Sequence, residues 1–195
     1  MIRAALITIV AAVAVIPEAS SVRERVLRSE MILAAPLEQV WALWTTEAGL
    51  TSFFARGARI EPKVDGLFEI LFEPSAPPGL RGAEGLRILA FEPPKRLAFT
   101  WNSPPDQPYT RAQRTVVTID LADVGGGRTR LTFTHAGWGN GAEWDKAYDY
   151  FDHAWGGFVL PMLKHRVDKG PVDWSNMPKV APVAPTLKLT LVAAR

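Results

Sequence analysis

Residues Ala142–Asp168 read AEWDKAYDYFDHAWGGFVLPMLKHRVD. Trp144, Ala147, Tyr148, Phe151, Trp155, Phe158, Met162 and Leu163 recur at spacings of three and four, and Glu143, Asp145, Lys146, Asp149, Asp152 and His153 fill the other side. That period predicts one long amphipathic helix. Pro161 lies inside it. Its ring presses on the carbonyl four residues back, at Gly157, so a bend is expected there, eased by Gly156-Gly157. An apolar stripe of this length must be covered, and the segments before it supply the cover.

Those segments read mainly as strands. Arg128–His135 and Arg111–Leu121 alternate and flank Gly125-Gly126-Gly127, where glycine provides the positive φ that a hairpin turn needs. Arg96–Trp101 and Glu84–Glu92 are joined by Pro93-Pro94-Lys95. Leu67–Glu73 and Ala58–Glu61 flank the turn at Val64-Asp65-Gly66. Upstream, Val22–Leu33 reads as a first strand. A helix starts at Ala35-Pro36 with Val40, Leu43 and Trp44 on one stripe, and a second short helix follows a break at Gly49, over Leu50–Ala55. Strands run between helices, so the chain is expected to be α+β: a curved antiparallel sheet around a long C-terminal helix, with two short helices after the first strand.

The two ends differ from this body. Met1–Ser21 has Arg3, an uncharged run over Ala4–Ile16, Pro17, and then small residues at Ala19-Ser20-Ser21. It reads as a secretory signal peptide, which implies export and no stable membrane anchor after processing. The domain is expected over residues 22–170. Residues 171–195, with Pro171, Pro178, Pro182 and Pro185, read as an extended, poorly packed tail, and Thr186–Ala193 within it alternates like a short edge strand.

Composition narrows the function. At 195 residues the chain is of one-domain size, and 48% apolar with 22% charged residues excludes wholesale disorder. A net charge of +2 makes no basic patch, so no nucleic-acid partner is expected. The absence of cysteine excludes disulfides, thiolate metal sites and a cysteine nucleophile. No nucleophile elbow, HExxH or phosphate-binding glycine loop occurs, and nothing calls for a metal or cofactor. Asp149 and His153 lie at i and i+4 on the polar helix face and read as a solvated ion pair.

Several ordered words carry a resemblance. They are Ala35-Pro36 with Trp41-Ala42-Leu43-Trp44-Thr45-Thr46 and Gly49-Leu50; Pro78-Gly79-Leu80-Arg81-Gly82-Ala83-Glu84-Gly85; Phe99-Thr100-Trp101-Asn102; Arg111-Ala112-Gln113-Arg114-Thr115; and Thr134-His135-Ala136-Gly137-Trp138-Gly139 with Glu143-Trp144-Asp145. Over Val22–Trp174 the chain resembles the helix-grip superfamily of START-like and Bet v 1-like (SRPBCC) domains. Within it, the chain is similar to the group related to the C-terminal domain of the activator of Hsp90 ATPase. The resemblance implies a helix gripped by the sheet, with a ligand held between them.

Alternation then selects the inward residues. Trp101 is in phase with Leu97 and Phe99. His135 is in phase with Leu131 and Phe133. Thr115, Gln113 and Arg111 continue the phase of Val117, Ile119 and Leu121. With Tyr148, Phe151 and Trp155 from the helix, the candidate ligand-binding set is Trp101, Arg111, Gln113, Phe133, His135, Tyr148, Phe151 and Trp155. Each has a plainer reading. His135 can be a hydrogen-bonded strand-end residue, Arg111 and Gln113 can face solvent at a frayed end, and the rings can simply pack. Trp138 and Trp144, among Gly137, Gly139 and Gly141, read as closing one end. The leading expectation is an exported domain that binds an apolar or aromatic small molecule in a cavity of a few hundred Å3. The alternatives are a cyclase-type enzyme using Arg111, His135 or Glu84 for proton handling, and a protein-interaction domain like the Hsp90 activator.

Overall fold

Nine strands and five helices follow one another along the chain in the computed structural model, which describes residues 23–183 and 187–192. The leader expected over Met1–Ser21 lies outside the described residues. Strand β1 (Arg23–Leu33) leads into α1 (Leu37–Thr45) and α2 (Glu47–Thr51). Strands β2 (Gly57–Ile60), β3 (Phe68–Leu71) and β4 (Gly82–Ala83) form a small antiparallel sheet. Strands β5 (Ile88–Glu92), β6 (Arg96–Trp101), β7 (Thr115–Asp123) and β8 (Thr129–Ala136) join β1 in the main sheet, with the one-turn helix α3 (Pro108–Arg111) between β6 and β7. The order is β5-β6-β7-β8-β1-β9, antiparallel throughout. The last strand, β9 (Leu187–Val192), pairs with β1.

Alternation was a faithful guide within these strands. Leu97, Phe99 and Trp101, then Thr115, Val117, Ile119 and Leu121, then Thr129, Leu131, Phe133 and His135 are all buried, and the residues between them, apart from buried Ala98, are half-buried or exposed. The register aligns Trp101 with Thr115, Val117 with His135, and His135 with Leu27. This face meets the C-terminal helix. Trp155 lies against Phe133 (4.6 Å between ring centroids) and Trp101 (5.3 Å), and Phe151 lies against His135 (5.1 Å).

The helix is not continuous α. It runs as α4 (Ala142–Ala154), a π segment over Trp155–Val159, and α5 (Leu160–Lys169). The bend expected from Pro161 is taken up as this change of register. The Leu160 N–H reaches back five residues to the Trp155 carbonyl. In that register the next donor, for the Gly156 carbonyl, would be Pro161, which has no N–H. The Gly156 carbonyl accepts instead from the Val183 N–H at 3.0 Å. The segment expected to be poorly packed is therefore fastened to the body over 171–183. Val172 is buried and its N–H donates to the Ser52 carbonyl, the Trp174 indole donates to the Thr51 carbonyl at 2.7 Å, and Val180 and Val183 pack on the core.

A further correction concerns local chemistry. Gly49 does not break a helix; it sits inside α2. A Cβ there would lie 2.3 Å from the Ala42 carbonyl oxygen and 2.6 Å from Leu43 Cα, so the absence of a side chain lets α1 and α2 touch. Thr46 caps α2 by accepting from the Gly49 N–H. On the polar face of α4, His153 Nδ1 donates to the Asp149 backbone carbonyl at 2.7 Å.

At the centre lies His135, with 0% exposure. The Trp155 indole N–H donates to its Nδ1 at 3.0 Å. Nδ1 is thus an acceptor, the proton sits on Nε2, and Nε2–H donates to Thr115 Oγ1 at 2.7 Å. Thr115 Oγ1 in turn donates to the Trp101 carbonyl. Burial holds the imidazole pKa well below its ordinary value.

Two outcomes follow from this packing. Gly49→Ala is expected to destabilise the fold by about 1–3 kcal/mol through overpacking, read from urea unfolding; an unchanged midpoint would mean that α1 and α2 part freely. For His135, folded and unfolded chains are both neutral above about pH 6.5, so stability does not depend on its protonation there. Below that pH the unfolded chain binds a proton that the folded chain excludes. Stability should then fall by about 1.4 kcal/mol per pH unit until the folded pKa is reached. Comparing urea unfolding at pH 7.5 and 5.5, His135→Gln should remove this part of the loss; an equal loss in the variant would contradict it.

Candidate functional site

Rings fill most of the space between sheet and helix. Phe54 stacks on Trp101 (5.7 Å, 17°), Phe68 stacks on Phe99 (4.0 Å, 18°), and Trp155 meets Phe54 edge-on at 5.6 Å. Phe54 comes from the stretch after α2, which thereby closes over the end of the sheet. The free space is displaced to one mouth of the grip. A pocket of about 90 Å3 lies where the end of β6, the following loop, β4 and the π segment converge. This is smaller than the few hundred Å3 expected from the sequence, and below the ~150 Å3 of a cavity that encloses benzene. Beside it lies an open groove of about 650 Å3, and Phe72, Tyr150, Ala154 and Val159 line both. Phe158 belongs to the groove, so the π segment turns this member of the expected core stripe outward.

Of the expected ligand-binding set, Trp101, Arg111, Phe151 and Trp155 come together around the pocket. The other four lie elsewhere. His135 is sealed in the core with both ring nitrogens engaged, and Phe133 packs beneath Trp155. Tyr148 faces β1, where its hydroxyl donates to the Val26 carbonyl and the Arg25 guanidinium lies 5.1 Å above its ring. Gln113 is exposed in the turn before β7.

Arg111 reaches the pocket by a route other than strand alternation. Pro108 starts the α3 turn, so β7 begins only at Thr115 and Arg111 projects from a helix end. Its guanidinium donates to the backbone carbonyls of Ser103, Gly79 (2.8 Å) and Gly82 (2.9 Å), tying the loop after β6 and the stretch that leads into β4 to the end of α3. Burial lowers its pKa; the Glu84 charge acts against that shift and Arg114 adds to it. Glu84 is itself occupied. Burial raises its pKa, but the Gly79 and Arg81 amides and the Arg81 guanidinium outweigh this and hold it below the ordinary carboxylate value. Arg81 donates from Nε to Glu84 Oε1 at 2.8 Å.

Phe54, Phe72, Asn102, Ser103 and Tyr150 line the pocket without having been singled out from the sequence. Trp101 and Asn102 are 3% and 7% exposed, and neither Trp101 Nε1 nor Asn102 Oδ1 has a hydrogen-bond partner. Tyr150 is half-exposed at the rim. Burial and the Asp106 carboxylate raise its pKa, so the phenol stays protonated at neutral pH. The other end of the grip is closed: the Trp138 indole donates to the His135 carbonyl, and Trp138 meets Trp144 edge-on over Gly139. Among the described residues no cluster of three metal-ligating side chains occurs, and no helix is long and apolar enough to cross a membrane.

Comparison places this architecture among known ones. A protein from Mesorhizobium loti is 24% identical, with 75% of this chain and 99% of that one aligned and a TM-score of 0.59. The Aha1 dimer from Colwellia psychrerythraea is 18% identical, covering 74% and 97%, with a TM-score of 0.57. An HSP90 activator from Plasmodium falciparum is 18% identical, covering 73% and 94%, with a TM-score of 0.54. These likenesses establish the helix-grip fold. A search of curated proteins finds no match. The model of the family described as activator of Hsp90 ATPase homolog 1-like protein matches residues 34–167, from the end of β1 through α5, so the chain belongs to that family.

Proposed function

We propose that this protein is an exported helix-grip domain that holds an apolar or aromatic small molecule, one end in the pocket beside Trp101 and the remainder in the outer groove. The observation that carries this reading is the shared wall of the two spaces: a pocket walled by Phe54, Trp101, Phe151 and Trp155 adjoins a groove walled by Phe72, Tyr150 and Phe158. Aromatic walls with few polar groups are the usual make-up of a small-molecule site. Holding is favoured over turnover by the state of the proton-handling candidates. His135 is spent on Thr115 and Trp155, Glu84 is paired with Arg81, and Arg111, which does line the pocket, stays protonated at neutral pH. Export rests on the residue pattern of Met1–Ser21 and argues against the HSP90-activator role that one structural neighbour carries in its name.

Native mass spectrometry of the protein from its own source should find a mature chain beginning at Val22 with a small molecule attached. A chain still beginning at Met1 would overturn export, and a chain bare of any ligand would count against binding. With a bound ligand or small aromatic probe, Trp101→Ala should keep the fold, read by circular dichroism, and abolish the ligand-induced change in tryptophan fluorescence. An undiminished change in that variant would remove Trp101 from the site.

A further inference from the structure

We infer that the molecule held is a carboxylic acid with an apolar body, bound with its carboxylate inward against Trp101, Asn102 and Arg111. The inference rests on the small-molecule reading above and goes further by assigning the chemistry and the direction of binding. Two polar side chains in the pocket wall, each more than nine-tenths buried, have no partner at Trp101 Nε1 and Asn102 Oδ1. Buried polar groups are almost always satisfied, so unmet ones lining a pocket mark where a ligand supplies the partner. An indole N–H can only donate, so its complement must be an acceptor. The Asn102 carboxamide, rotated by half a turn about its last bond, presents its NH2 group to the same acceptor.

Charge selects among acceptors. Arg111 lines the pocket, and its three hydrogen bonds go to neutral backbone carbonyls. No carboxylate forms an ion pair with it among the described residues, because Glu84 is held by Arg81 at 2.8 Å. A surplus positive charge therefore remains in the pocket wall and not in the groove. Of the acidic groups apart from the Arg81-paired Glu84, Asp149 lines the groove and Asp106 lies beside Tyr150. This gradient turns an acid head-inward. Size agrees: about 90 Å3 accommodates a carboxylate and its first carbons, while Phe72, Tyr150 and Phe158 cover the body.

The test is calorimetric titration of the full chain with four probes that share one body: 4-phenylbutyrate, its methyl ester, 4-phenylbutylamine and butylbenzene. The acid is expected to bind at least about tenfold more tightly than the ester and the amine. Trp101→Phe and Asn102→Ala should each narrow that gap, with butylbenzene affinity nearly unchanged. Equal affinity for acid, ester and amine would overturn the acid assignment and leave the small-molecule reading standing. Failure of all four to bind would overturn both. The wild-type series decides between these outcomes even if a variant does not fold.

Discussion

The hydrogen bond from the Trp155 indole to His135 Nδ1 joins the two halves of this fold. Trp155 is on the gripping helix and His135 is at the end of an inner strand. A neutral buried hydrogen bond contributes only about 1 kcal/mol net, but breaking it strands two polar groups in an aromatic core at a further cost of about 1–3 kcal/mol. The bond also fixes the imidazole tautomer. With Nδ1 accepting, Nε2 must donate, and the chain continues through Thr115 to the Trp101 carbonyl. Strands β6, β7 and β8 and the helix are thereby registered against one another through three side chains and one carbonyl.

The position of the pocket follows from this fastening. Aromatic rings occupy the middle of the grip, and the pocket lies past the last residues of β6, where Trp101 ends its strand and Asn102 starts a loop. The π segment contributes on the helix side. Its wider turn accommodates Pro161, leaves the Gly156 carbonyl to the Val183 N–H, and rotates Phe158 out toward the groove. Trp101 thus has two faces of use. Its ring and carbonyl belong to the packed interior, while its indole N–H is uncommitted at the pocket wall.

Much of the architecture was legible in the sequence because it rests on local periodicity. Period-two alternation located the inner faces of β6, β7 and β8, and the three-and-four spacing located the helix. Reading failed where the backbone left those periods. Extending the β7 phase back to Gln113 and Arg111 assumed extended chain through residues that Pro108 sets into a helical turn, and Gln113 accordingly ends in solvent. Gly49 looked like a breaker because the close approach of α1 that requires it is a tertiary contact. His135 was recognised as inward-facing, but a partner twenty residues away on another element has no local signature. Phe54, Phe72 and Asn102 were not assigned to the site for a related reason: they come from strand ends and connections, where no repeat marks a direction. Tyr150 sits on the polar side of α4, outside the stripe that drew attention to its neighbours.

The central claim is that a neutral His135, accepting from Trp155, fastens the helix to the sheet. Its most direct measurement is a long-range 1H–15N correlation spectrum of the imidazoles at neutral pH, assigned with His135→Gln. The predicted result is an Nε2-protonated ring at His135, with an unprotonated, hydrogen-bonded Nδ1 and a Trp155 indole proton shifted by that bond. A ring protonated on Nδ1, or on both nitrogens, would contradict the account.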